Sequence, residues 1–118
     1  MASAGTAQEA ESANVVAGNI LGLSADESQQ LASNGPRIVI DNGAYGNFIG
    51  QPAAGAGNVI CADLPGDCGI LLGDSRGNLV QNNLIGLNES GTAFSAGTGI
   101  YVSKTAKSNL IGGDRSAN

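Results

Sequence analysis

Histidine and tryptophan are missing from this chain, and aromatic residues make up only 3% of it. Without histidine there is no Ser-His or Cys-His pair and no imidazole base, which removes the usual means of general-base and nucleophilic catalysis. With so few rings any core must be aliphatic, and apolar residues, at 42%, are numerous enough to form one. Charge is sparse too, at 13% with a net value of −5. Nucleic-acid binding calls for a basic face, so no nucleic-acid partner is expected. The acidic balance admits a cationic partner, and leaves Ca²⁺ as the one cofactor open to the chain, although the acids are scattered and not in a run. Long apolar runs are also lacking, so no membrane span is expected. Two cysteines without histidine are too few for a zinc site. Cys61 and Cys68 flank Leu64-Pro65-Gly66 and are a disulfide candidate; their spacing suits a pinched loop, and a bond would favour an oxidising compartment.

What the chain has in excess is glycine, 19 of 118 residues, together with a repeated phrase. Asn78-Leu79-Val80-Gln81-Asn82-Asn83-Leu84-Ile85-Gly86-Leu87 echoes Asn14-Val15-Val16-Ala17-Gly18-Asn19-Ile20-Leu21-Gly22-Leu23, and half of it recurs from Asn47 and from Asn109. Asn47, Asn78 and Asn109 are 31 residues apart, and Asn14 precedes Asn47 by 33. A fixed period of this size marks a stacked repeat architecture. Residues 14–118 are therefore read as one repeat domain. Residues 1–13, with neither a basic start nor an apolar stretch, are not a secretory signal and read as an N-terminal tail or a cap on the first repeat.

Three strand types recur within each period, each short, β-rich and bounded by Gly, Asn, Asp or Ser. One runs Ile38–Ile40, Ile70–Leu72, Ile100–Val102; the second holds Val15-Val16, Phe48-Ile49, Leu79-Val80, Leu110-Ile111; the third holds Ile20-Leu21-Gly22-Leu23, Val59-Ile60, Leu84-Ile85-Gly86-Leu87. Three strands in about 31 residues close one coil of a parallel β-helix, giving an all-β fold of about three coils. Side chains alternate along a strand, so Val16, Ile49, Val80 and Ile111 should face in, with Ile38, Ile70, Ile100 and Leu21, Ile60, Ile85. Val15, Phe48, Leu79, Leu110, Val39, Leu71, Tyr101, Ile20, Val59 and Leu84 should then face out. Either this outer face is a self-association surface or side chains from loops cover it. The column Asn14, Asn47, Asn78, Asn109 is expected at one corner, where asparagine tolerates a left-handed turn and its amide can bond the amide of the next coil.

The phrases Asn109-Leu110-Ile111-Gly112-Gly113, Ala53-Ala54-Gly55-Ala56-Gly57-Asn58-Val59-Ile60 and Gly99-Ile100-Tyr101-Val102, with the long Asn78 phrase, resemble the right-handed parallel β-helix repeats of large bacterial surface and secreted proteins, the pectin-lyase-like group. The resemblance implies a right-handed coil and an extracellular or cell-surface location. It does not imply a chemistry, because lyases, hydrolases, tailspikes and adhesins share such coils. The chain is shorter than enzymatic relatives and breaks off in mid-coil at Asp114–Asn118, which suggests a fragment or a tile whose open end meets another chain.

An acidic catalytic or ligand site would draw on Asp63, Asp67 and Asp74, with Arg76 as base or substrate clamp. The plainer reading makes these acids turn residues beside Pro65, Gly66, Gly69 and Gly73. Lys104 and Lys107 flank Thr105 and admit an anion or a solvated turn. The paired Asp, Gly-His-Gly and Arg-x-Lys elements of pectate lyases and polygalacturonases find no match. The expectation is a non-enzymatic structural or adhesive module, a homo-oligomer through its coil ends or apolar outer face. The alternative is a carbohydrate-active fragment that binds or cleaves an acidic polysaccharide.

Overall fold

The computed structural model describes residues 14–31, 35–62, 68–94 and 97–112. Among them the regular structure is all strand: β1 (Val15–Val16), β2 (Ile20–Leu21), β3 (Ile38–Ile40), β4 (Ala44–Tyr45), β5 (Phe48–Ile49), β6 (Val59–Ile60), β7 (Cys68–Leu72), β8 (Ser75–Arg76), β9 (Leu79–Val80), β10 (Leu84–Ile85), β11 (Thr98–Val102) and β12 (Leu110–Ile111). No helix of the described residues is long and apolar enough to cross a membrane. The tail or cap assigned to residues 1–13, and the break at Asp114–Asn118, lie outside the described residues.

Every strand pairing is parallel and joins equivalent positions of successive repeats. The four-stranded sheet runs β1-β5-β9-β12, two three-stranded sheets run β2-β6-β10 and β3-β7-β11, and a short sheet pairs β4 with β8. Register follows the repeat: Val16 lies opposite Ile49, Ile49 opposite Val80, and Val80 opposite Ile111. Ile38, Ile70 and Ile100 align in the same way, as do Leu21, Ile60 and Ile85. Two-residue strands this short need hard corners between them, and glycine supplies several. Gly50 sits at φ +79°, and a Cβ there would stand 1.9 Å from the carbonyl oxygen of Gln81 in the next repeat. Only a residue without a side chain lets the two backbones approach so closely.

The aligned aliphatics form one core of Ile40, Ile49, Ile60, Ile70, Leu72 and Val80, with Leu21, Ile38, Ile85 and Ile100 packed against it. Burial is best in the middle repeat and falls off along each column. In the first sheet Ile49 is 1% and Val80 3% exposed, whereas Ile111 is 46% exposed; in the third, Leu72 is fully buried and Val102 is 51% exposed. The reason is geometric: each rung is covered by the rungs before and after it, and among the described residues the last rung has a neighbour on one side only.

The in-out alternation fails at Val59, which it places outside and the structure buries. The loops after β2 and β10 fold back on themselves through the antiparallel bridges Leu23–Gln30 and Leu87–Ala93. They carry Leu23 and Phe94 onto Val59 and Cys61, making a second, smaller apolar cluster on the outer side of the β2-β6-β10 sheet. Elsewhere the outer columns are open at their ends: Val15, Val39, Tyr101 and Leu110 are each about half exposed.

Because cover decides how much a side chain contributes, Ile70→Ala should cost about 2–5 kcal/mol, while Ile111→Ala should cost less than half as much. Urea unfolding of the two variants measures the difference, and equal losses would contradict the gradient of burial.

Candidate functional site

The most ordered polar feature is a column of side-chain amides inside the corner that precedes the first sheet. Asn14 Nδ2 donates to Asn47 Oδ1 at 2.9 Å, Asn47 Nδ2 to Asn78 Oδ1 at 3.0 Å, and Asn78 Nδ2 to Asn109 Oδ1 at 2.9 Å. Each Oδ1 also accepts the backbone N–H of the preceding asparagine. Asn78 is 1% exposed, so these bonds replace water that cannot reach it. A second column, absent from the repeat analysis, runs through the next corner. Asn19 Nδ2 donates to Asn58 Oδ1 at 3.1 Å, and Asn58 Nδ2 to Asn83 Oδ1 at 2.9 Å. Asn58 Nδ2 also donates to Val16 O, so its amide reaches both neighbouring repeats, and Asn83 Nδ2 donates back to Ile49 O.

The structure also corrects which residue makes the left-handed turn. It is not the ladder asparagine but the residue before it: Gly46, Gly77 and Ser108 in the first column, and Gly18 and Asn82 in the second, all have positive φ. The recurring Gly-Asn dipeptide at 18–19, 46–47, 57–58 and 77–78 is the sequence signal for both columns. Glycine takes the left-handed turn at 18, 46 and 77, whereas Gly57 is required because a Cβ there would stand 1.7 Å from Asn82 O; the asparagine that follows aims its amide along the stack.

Of the proposed acidic site, Asp63 and Asp67 lie outside the described residues. Asp74 and Arg76 are both exposed and lie at the corner around β8. They line one groove of about 320 Å³ with Gly43, Ser75, Thr105 and Lys107. The Arg76 guanidinium carbon stands 5.2 Å from the Tyr45 ring centroid, a cation–π arrangement. Asp41 accepts the backbone N–H groups of Asn42 and Asp74, at 2.8 and 2.9 Å, and these bonds hold its carboxyl below the usual range. Asp41 is thus a corner-bracing residue, in the manner expected of an aspartate in a turn. Among the described residues no group of three or more Cys, Asp or Glu is placed to hold a metal ion.

Cys61 and Cys68 are both buried and stand as separate thiols, not as a disulfide. Burial pushes the Cys61 thiol up, which keeps it from the reactive thiolate form. Arg37 donates from Nε to Cys61 O at 3.0 Å and from Nη1 to Gly35 O at 2.7 Å, so it braces backbone.

On the loop side, repeats one and three touch directly. Asn88 Nδ2 donates to Glu27 O at 3.1 Å, and the Glu89 backbone N–H donates to Glu27 Oε1 at 2.8 Å. A side-chain hydrogen bond with Glu27, and then the charge of Glu27, raise the Glu89 carboxyl above its ordinary value. In the same loop Ser28 and Ser24 bond the Asp26 carboxylate and lower it to about 2.

No protein-family model matches the chain, and no match was found among curated proteins or solved structures. The reading of the site therefore rests on its own geometry.

Three outcomes follow. Asn78→Leu should cost roughly 1–3 kcal/mol for each buried partner it strands, read as a lowered urea midpoint, with Asn14→Ala at the exposed end costing less. Ser108→Gly should gain about 1 kcal/mol, because Gly46 and Gly77 hold the equivalent left-handed positions without a Cβ. For Glu89 the folded carboxyl lies above the unfolded one, so its contribution is present below the unfolded value and is lost as pH rises through the folded value. Asp26 has the opposite sign, losing its contribution as pH falls from about 3.8 through about 2. Glu89→Gln should therefore abolish a gain in stability between neutral and mildly acidic pH, measured as the urea midpoint at each pH.

Proposed function

We propose that the chain is a right-handed parallel β-helix of about three turns and works as a structural or adhesive module that self-associates. The observation that carries this reading is the contrast between the middle and the ends of each column. The same aliphatic position is buried at Ile49 and Val80 and 46% exposed at Ile111. Among the described residues the flanking strands β1, β2 and β3 on one side, and β10, β11 and β12 on the other, each pair along one edge only. Open strand edges beside exposed aliphatics are templates for further pairing. Val15, Ile20 and Val39 supply the apolar surface at the first end, and Tyr101, Val102, Leu110 and Ile111 at the last. The two ends differ in sequence, so contact between them is head-to-tail, and head-to-tail contact that does not close gives extended assemblies. Proteins that work by displaying a long, stiff surface gain length this way. The lack of histidine and the bracing role of Asp41 favour a structural role over catalysis.

Sedimentation velocity across a concentration series should show association that grows with concentration. The double variant Tyr101→Asp, Leu110→Asp should shift it towards monomer while leaving the urea midpoint close to that of the parent, since both side chains are about half exposed. A parent chain that stays monomeric at every concentration would rule the proposal out.

A further inference from the structure

We propose that the groove beside β8 is a binding site for a single monovalent oxyanion, held by Arg76 and Lys107 on adjacent rungs. This inference is independent of self-association. Tyr45 lies opposite Arg76 in the β4–β8 pair, and Arg76 lies opposite Lys107 in a parallel bridge. The three side chains therefore leave the same face at steps of about 4.8 Å. Arg76 Cζ stands over the Tyr45 ring at 5.2 Å from its centroid. That contact steadies the side chain, and the N–H groups of an arginine can grip an oxyanion through two bonds.

Two cations on neighbouring strands repel one another, and like charges placed directly opposite destabilise a sheet. Among the described residues neither is held in an ion pair. Only five of the chain's residues are Lys or Arg, against ten acids, so two in register at one corner is a local excess of positive charge on an acidic protein. An oxyanion seated between them relieves the repulsion and completes the donors of both. Gly43 leaves one wall of the groove without a side chain, and Thr105 adds a hydroxyl, itself 3.0 Å from Ser103 Oγ.

The valence of the ligand follows from Asp74, whose carboxylate shares the groove. Among the residues that line the groove, two cations and one carboxylate leave a single positive charge. A carboxylate or a sulfate ester balances it, whereas a phosphate dianion adds a repulsion against Asp74. The ligand class is thus a monovalent oxyanion, either free in solution or carried on a chain.

The test uses the full chain and amide-resolved NMR titration with acetate, inorganic phosphate at a pH where it is the dianion, and carboxymethyl-dextran with plain dextran as its control. Acetate should move the signals of Gly43, Arg76 and Lys107 in a saturable way, and phosphate should bind more weakly. The double variant Arg76→Gln, Lys107→Gln should weaken acetate binding at least about tenfold, with an unchanged urea midpoint. Lys104→Gln, one residue outside the groove, should leave binding as it was. Asp74→Asn should tighten binding and remove the discrimination against phosphate. Tighter binding of carboxymethyl-dextran than of acetate assigns the ligand to a polymer, and equal binding assigns it to a small ion. No saturable shift with any of these probes would overturn the proposal, as would equal weakening by Lys104→Gln and by the Arg76, Lys107 pair, which would mark a general surface charge.

Discussion

The molecule depends on keeping its repeats in step, and the side-chain amides do this. A two-residue strand makes too few backbone bonds to define its own register, and slipping it by one residue would turn its aliphatics to solvent. An asparagine before each strand of the β1-β5-β9-β12 and β2-β6-β10 sheets removes that freedom. Its Oδ1 accepts two N–H groups from the repeat before, and its Nδ2 donates to the repeat after, so the rung can sit at one height only. The aliphatic columns supply most of the favourable free energy, at about 1.5–3 kcal/mol for each fully buried side chain. Those columns line up because the amides hold them there.

Cooperation between the two kinds of column explains the uneven burial. The strands with a neighbour on each side reach the close packing of an ordinary interior, with Ile60, Ile70 and Leu72 fully buried and Ile49 and Val80 nearly so. Stability in a stack of this kind is a sum of repeat terms and nearest-neighbour terms. Among the described residues the outermost rungs show exposed aliphatics, and these connect the packing to the association proposed for the chain.

Much of this was readable in the residues. The first column keeps spacings of 33, 31 and 31, so Asn14, Asn47, Asn78 and Asn109 announced themselves, as did the strand types aligned with them. The second column did not, because its members are 39 and 25 residues apart. Loops of different length enter at that corner, and a loop changes the spacing along the chain without changing the height of the rung. Val59 was misplaced for a related reason. Period-2 alternation speaks of the two faces of a strand, but not of a distant loop that returns to cover the outer one, as Leu23 and Phe94 do. The groove at Arg76 was half visible: Asp74 and Arg76 stood out as candidates, but their link to Lys107 and Tyr45 needed the register between repeats.

The contact of Glu27 with Asn88 and Glu89 joins segments 61 and 62 residues apart, and so ties the first repeat to the third. A stack bonded only to its neighbours frays from an end, one layer at a time. Here a clasp on the flank closes a loop of chain around the middle layer. The outer layers cannot peel away on that side without first opening it. Under a pulling force the three layers should therefore yield together, in one large event in place of a staircase of small ones, which gives a short stack the toughness of a longer one.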